Sequence, residues 1–128
     1  MADYLLDTNV IIDYLRGDSV KILLLQKYVS LGSLLYSCEI TVAEIFSGMR
    51  EKERENTEHF LNTLFYVPID QSTAKNAGEF RKIYRARGKQ ITLADALIAS
   101  VAVAHNLILL TDNIKDYPMP ELKKEKPI

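Results

Sequence analysis

The chain has 128 residues, 48 % of them hydrophobic, and a formal net charge of −1. That length buries roughly two-thirds of its unfolded surface in one ordinary domain, here taken as residues 1 to 128. The composition excludes the collagen-like and disordered classes. A protein gripping nucleic acid by bulk charge would be basic, so any such contact must use a local patch or a bound cation. No apolar run reaches the roughly 18 residues of a membrane span. The opening MADYLLDTNV carries acids early and no basic leader, which reads as a chain without a signal peptide. The single cysteine, Cys38, lies in the apolar stretch LLYSCEI and is expected in the core; a reducing cytoplasm fits.

Tyr4 to Asp7 reads as a short buried strand. Thr8 or Asn9 is placed to cap a helix through Val10 to Arg16, which Gly17 stops. Residues 19 to 30 read as an amphipathic helix broken by Gly32, and Leu34 to Cys38 as a second strand. A helix from about Thr41 to Met49 follows. Arg50 to Glu58 is densely charged and reads as a solvated loop or helix start, with Thr57 to Leu64 helical and Phe65 to Ile69 a third strand. Residues 72 to 87 form a helix ending at Gly88. Thr92 to His105 is apolar on nearly every side, the mark of a buried helix. Leu107 to Thr111 is a fourth strand, and the tail from Pro118 is expected to be irregular. Strands alternate with helices and are continuous apolar runs. Both features indicate a parallel sheet covered on both faces, hence a three-layer α/β/α domain with right-handed crossovers.

In such a sheet all strand C-termini lie at one edge, and ligands bind there. Asp7 ends the first strand, and Asp112 and Asp116 follow the fourth. Glu44 falls in the first turn of the helix after the second strand. Asp95 falls in the first turn of the helix leading back into the fourth, whose length of roughly 20 Å matches the sheet it crosses. Carboxylates sharing a site raise one another's pKa unless a positive charge intervenes. A hard cation such as Mg²⁺ or Mn²⁺ suits oxygen ligands. Zinc would want Cys or His, and only Cys38, His59 and His105 are present. Singly, each acid has a plainer reading. Thr41-x-x-Glu44 and Thr92-x-x-Asp95 resemble capping boxes, and Asp7, Asp112 and Asp116 resemble turn formers. Asp95 favours a site, because it is the only charged residue in a helix of Leu, Ala, Ile and Val. Residues 81 to 89 gather Arg81, Lys82, Arg85, Arg87 and Lys89 around Tyr84 with no acid among them. That run reads either as an RNA-backbone patch or as a solvated helix face.

LLDTNVIID, TVAEI, LADALIAS and LLTDNIKDY, in that order, resemble the PIN-domain nucleases, and more narrowly the VapC toxins of toxin–antitoxin pairs. The resemblance implies an α/β/α fold around a parallel sheet, dependence on Mg²⁺ or Mn²⁺, and cleavage of single-stranded RNA to 5′-phosphate and 3′-hydroxyl ends. It also implies a homodimer held inactive by a cognate VapB-like antitoxin, an arginine of which would take the metal's place among the acids. Residue by residue, it puts the catalytic and metal-holding acids at Asp7, Glu44, Asp95 and Asp116, with Asp112 the second choice for the fourth. Thr8, Asn9, Thr111 and Asn113 match supporting polar positions. The fifth strand usual near the family's C-terminus is not visible in PMPELKKEKPI.

Four alternatives stand beside this reading. One is an RNA-processing nuclease of the same fold without an antitoxin. A phosphohydrolase with an Asp nucleophile would want a second acid where Asn9 stands. A phosphoacceptor domain using Asp70 would want paired acids after the first strand, which LLDTNV lacks. A silent RNA-binding module would have no need of four acids.

Overall fold

Tyr4, Leu5 and Leu6 alternate between two apolar layers, Tyr4 and Leu6 on one side and Leu5 on the other, and all three are buried. That double burial makes them the central strand, β1 (Tyr4–Leu6). In the computed structural model, which describes residues 2–127, β1 lies between β2 (Leu35–Ser37) and β4 (Ile108–Leu110). The edges are β3 (Phe65–Tyr66) and β5 (Lys124–Glu125). The order is β3-β2-β1-β4-β5, with every pair parallel. Tyr4 is in register with Leu35 and Ile108, and Leu6 with Leu110.

Six α-helices flank the sheet: α1 (Thr8–Leu15), α2 (Ser19–Ser30), α3 (Glu39–Gly48), α4 (Arg54–Leu61), α5 (Gln71–Ala86) and α6 (Leu93–Ala104). Val10, Ile11, Leu25, Ile45 and Leu61 cover one face of the sheet; Phe80, Ala99, Val101 and Tyr117 cover the other. This is the expected α/β/α sandwich. The helices α5 and α6 form a hairpin tied by the Ser100 hydroxyl, which donates to the Thr73 carbonyl at 2.7 Å. The C-terminal end of α5 therefore lies beside the N-terminal end of α6. Among the described residues no helix is long and apolar enough to cross a membrane.

Several boundaries differ from the sequence reading. Asp7 lies just past the end of β1; it caps α1, so neither Thr8 nor Asn9 does. The helix α3 starts at Glu39, which puts Glu44 in its second turn and removes the Thr41-x-x-Glu44 box. Glu53 accepts from the Arg50 amide at 2.8 Å and so helps start the chain turning before Thr57; α4 is already under way at Arg54. The third strand is only two residues long, since Pro68 lacks the N–H a longer ladder needs. The tail is ordered: Tyr117, Met119 and Leu122 are buried, and Lys124–Glu125 pair with Leu109–Leu110.

Leu5 is fully buried while Leu23 is 66 % exposed. Leu5→Ala should cost about 2–5 kcal/mol of unfolding free energy, and Leu23→Ala no more than about 0.5 kcal/mol. Urea titrations followed by circular dichroism check the contrast.

Candidate active site

Asp7 follows β1 directly, and its amide donates to the Leu110 carbonyl at 3.0 Å. The carboxylate is buried, yet both oxygens are occupied. Oδ1 accepts from the Thr8 amide at 2.8 Å. Oδ2 accepts from the hydroxyls of Thr111 at 2.7 Å and Tyr117 at 3.2 Å. Burial pushes the Asp7 carboxyl above its usual range against the pull of these donors, and the charge of Glu44 adds to the rise.

Asp95 reaches the same point from another element. Thr92 caps α6, its hydroxyl oxygen accepting from the Asp95 amide at 3.1 Å, so half of the expected capping box is present. The Asp95 side chain, half-buried, is engaged elsewhere: its Oδ1 accepts from the Tyr117 hydroxyl at 3.1 Å. Burial raises this carboxyl too, and the charges of Asp7 and Asp116 raise it further. One phenol thus stands within hydrogen-bond reach of both acids, its single proton shared between them. Tyr117 is fully buried, and burial together with the two carboxylates holds its hydroxyl far above the ordinary phenol range. The sequence reading missed Tyr117. The available signal was a tyrosine in an apolar tail, whose hydroxyl must find a partner once buried.

The remaining acids separate. Glu44 is exposed, and its Oε1 accepts from the Thr8 hydroxyl at 2.7 Å; Thr8 also stands 3.4 Å from the Thr41 hydroxyl. Asp116 is exposed in a 3-10 turn over Ile114–Asp116, close enough for its charge to act on Asp95. Asp112 is turned away. It pairs at 3.0 Å with Lys21, a nearly buried ammonium that also holds Asp13 at 3.2 Å and Asp18 at 3.9 Å. Of the two fourth-acid positions, Asp116 is therefore the one beside Asp95. The Asn113 amide donates to the Thr111 hydroxyl oxygen at 2.9 Å. Asn9 is exposed and lines a separate cavity of about 420 Å³ with Asp13, Lys52 and Glu53.

The basic run meets the same edge but is partly committed to the fold. Arg81 donates to the Ile91 carbonyl at 2.9 Å, and Lys89 to the Lys115 carbonyl at 2.8 Å. The Arg87 guanidinium lies 5.2 Å from the centre of the Tyr84 ring. Lys82, Arg85 and Arg87 are exposed. Asp70 caps α5 through the Thr73 amide and hydroxyl, both at 2.8 Å, and its charge senses His105 at the far end of α6. That places it at the opposite edge of the sheet from Asp95. Cys38 is a buried core thiol.

Among the described residues no three acidic, histidine or cysteine side chains form a ready-made cation cage. What the site offers is a pair of oxygen-donor acids, both raised by burial and by neighbouring charge, with two more carboxylates at the rim. A hard divalent cation fits this donor set, because it would relieve the repulsion that raises both acids.

The raised Asp7 carboxyl has a consequence for stability. Well below pH 3.8 the folded and unfolded chains both carry the proton. As pH rises the unfolded chain releases it first, so ionising Asp7 costs folded-state stability until the folded group has also titrated. Metal-free Asp7→Asn should therefore melt above the parent near neutrality, with the gap closing as pH falls toward 3.8. Thermal melts in EDTA check this; a gap independent of pH contradicts it.

Comparison with known proteins places this arrangement. Residues 4–117 match the family model of the PIN domain. Ribonuclease VapC19 of Mycobacterium tuberculosis is 30 % identical over 120 residues, covering 93 % of this chain and 96 % of that protein. Ribonuclease VapC10 of the same organism is 33 % identical over 120 residues, covering 94 % and 90 %. Among solved structures, VapBC2 from Rickettsia felis bound to a fragment of promoter DNA superposes with a TM-score of 0.85 at 26 % identity, over 96 % of this chain and 97 % of that one. A toxin–antitoxin complex from Klebsiella pneumoniae gives 0.81 at 26 % identity, over 98 % of each chain. With the family model spanning most of the sequence and the acids of distant segments meeting at one sheet edge, the chain belongs to the PIN domain family.

Proposed function

We propose that the chain is a divalent-metal-dependent endoribonuclease that cleaves single-stranded RNA as the toxin of a VapBC-type pair. The observation carrying this reading is that Asp7 and Asp95, from opposite ends of the sequence, meet on a single buried hydroxyl. The similarity to proteins named Ribonuclease VapC supplies the activity class.

Asp7 and Asp95 would hold Mg²⁺ or Mn²⁺, with Glu44 and Asp116 completing the shell or orienting the attacking water. When bound, the ion would lower the pKa of that water and neutralise charge on the phosphate oxygens. Thr8 and Thr111 keep the acids aimed: Thr111 fixes Asp7, and Thr8 ties the Glu44 carboxylate to the start of α1. Lys82, Arg85 and Arg87 stand exposed on the hairpin beside α6, where they would track the RNA backbone.

A VapB-like antitoxin is the proposed partner of a homodimer, as solved relatives are VapBC and toxin–antitoxin complexes. An open apolar groove of about 710 Å³, lined by Leu25, Val29, Leu34, Phe60 and Phe65, supports a protein partner. Phe65 is 51 % and Val29 57 % exposed there.

Asp7→Asn and Asp95→Asn should each lower cleavage of a single-stranded RNA in Mg²⁺ by at least about 100-fold, a loss of about 2.7 kcal/mol of transition-state stabilisation. Their circular dichroism spectra should match the parent's. EDTA should abolish the parent's activity and Mn²⁺ restore it. Undiminished cleavage by either variant, or activity that survives EDTA, overturns the proposal.

A further inference from the structure

We propose that the Tyr117 hydroxyl is a positioning group that presets Asp95 against Asp7 for a shared cation. This rests on the metal-dependent reading above and adds to it a residue outside the four acids.

The two acids are not held equally. Asp7 is fixed by two donors of its own, the Thr8 amide and the Thr111 hydroxyl, and shares the single proton of the Tyr117 hydroxyl with Asp95. It stays aimed if one is lost. Asp95 has its backbone amide tied to Thr92, but the hydrogen bond that joins its carboxylate to Asp7's surroundings comes from Tyr117. Without that bond the half-buried carboxylate keeps Thr92 as a neighbour but loses its link to Asp7, and the charges of Asp7 and Asp116 press it away.

The phenol is a rigid peg. Its ring is fully buried in the layer formed with α5 and α6. Its amide donates to the Ile114 carbonyl at 3.2 Å, and its own carbonyl accepts from the Lys124 ammonium. Backbone and ring are thus anchored independently of the acids, so the hydroxyl sets where they point. Both carboxylates bond the same oxygen, so their facing oxygens are no further apart than those two bonds laid end to end. An ion ligated by one oxygen of each would find the pair already gathered. A hydroxyl that orients metal ligands in this way typically governs 10–100-fold in metal affinity.

The test is Tyr117→Phe, which keeps the ring and so keeps the core filled. Calorimetric titration of the RNA-free protein with Mn²⁺ should show a Kd raised about 10-fold over the parent. RNA cleavage should need correspondingly more Mn²⁺ for half-maximal rate, while kcat at saturating Mn²⁺ should stay within about 3-fold of the parent. A Kd unchanged or tighter in Tyr117→Phe, whatever its melting temperature, assigns the hydroxyl to fold stability alone and overturns the inference. An equal fall of kcat at saturating metal with no change in Mn²⁺ dependence overturns it as well. If the parent itself binds no Mn²⁺ and cleaves without it, the metal-dependent reading fails, and the inference with it.

Discussion

A carboxylate stripped of water at the end of the central strand is the constraint around which this molecule is organised. Asp7 sits where β1 passes into α1, and burial there disfavours its charge. It is tolerated because donors arrive from three directions: the first amide of α1, Thr111 beyond β4, and Tyr117 in the tail. Each donor depends on the sheet order. Only with β1 and β4 adjacent and parallel does Thr111 come alongside Asp7. Helix start, strand pairing and tail packing therefore converge on one side chain, whose ionised state opposes folding and favours a cation.

The same constraint explains which parts of the molecule were legible in the sequence. The parallel sheet could be read because its inner strands are apolar on both faces, as Leu5 and Leu6 are. The meeting of Asp7 and Asp95 at one edge followed from topology alone. Pairings set by tertiary contact could not be read. Within LLTDNIKDY the resemblance alone ranks Asp116 above Asp112; the physical separation is made by Lys21, which arrives from α2 to hold Asp112. The start of α3 was misplaced because Cys38 supplies no side-chain cap to announce it. The fifth strand was invisible because Lys124 and Glu125 have no apolar pattern and pair only through backbone with β4.

The basic segment shows how a composition signal divides once side chains are placed. Arg81 and Lys89 spend their charge on the Ile91 and Lys115 carbonyls, bracing the loops on either side of α6's first turn. The others project from the hairpin. The two readings of the run, solvated face and phosphate-contacting patch, therefore apply only to the exposed Lys82, Arg85 and Arg87. The braces also set the relation between patch and acids, because Lys89 grips the 3-10 turn that carries Asp116.

The order in which the acids and their supports come off the ribosome follows from where the tail packs. Asp7 is among the first residues made, but Thr111, Asp116 and Tyr117 come late, and the Lys124 anchor of Tyr117 later still. A polypeptide still under synthesis, or one cut short before Tyr117, lacks the hydroxyl that joins Asp95 to Asp7. The gathering of Asp7 and Asp95 is thus completed by a segment near the far end of the sequence, although the acids themselves are made earlier.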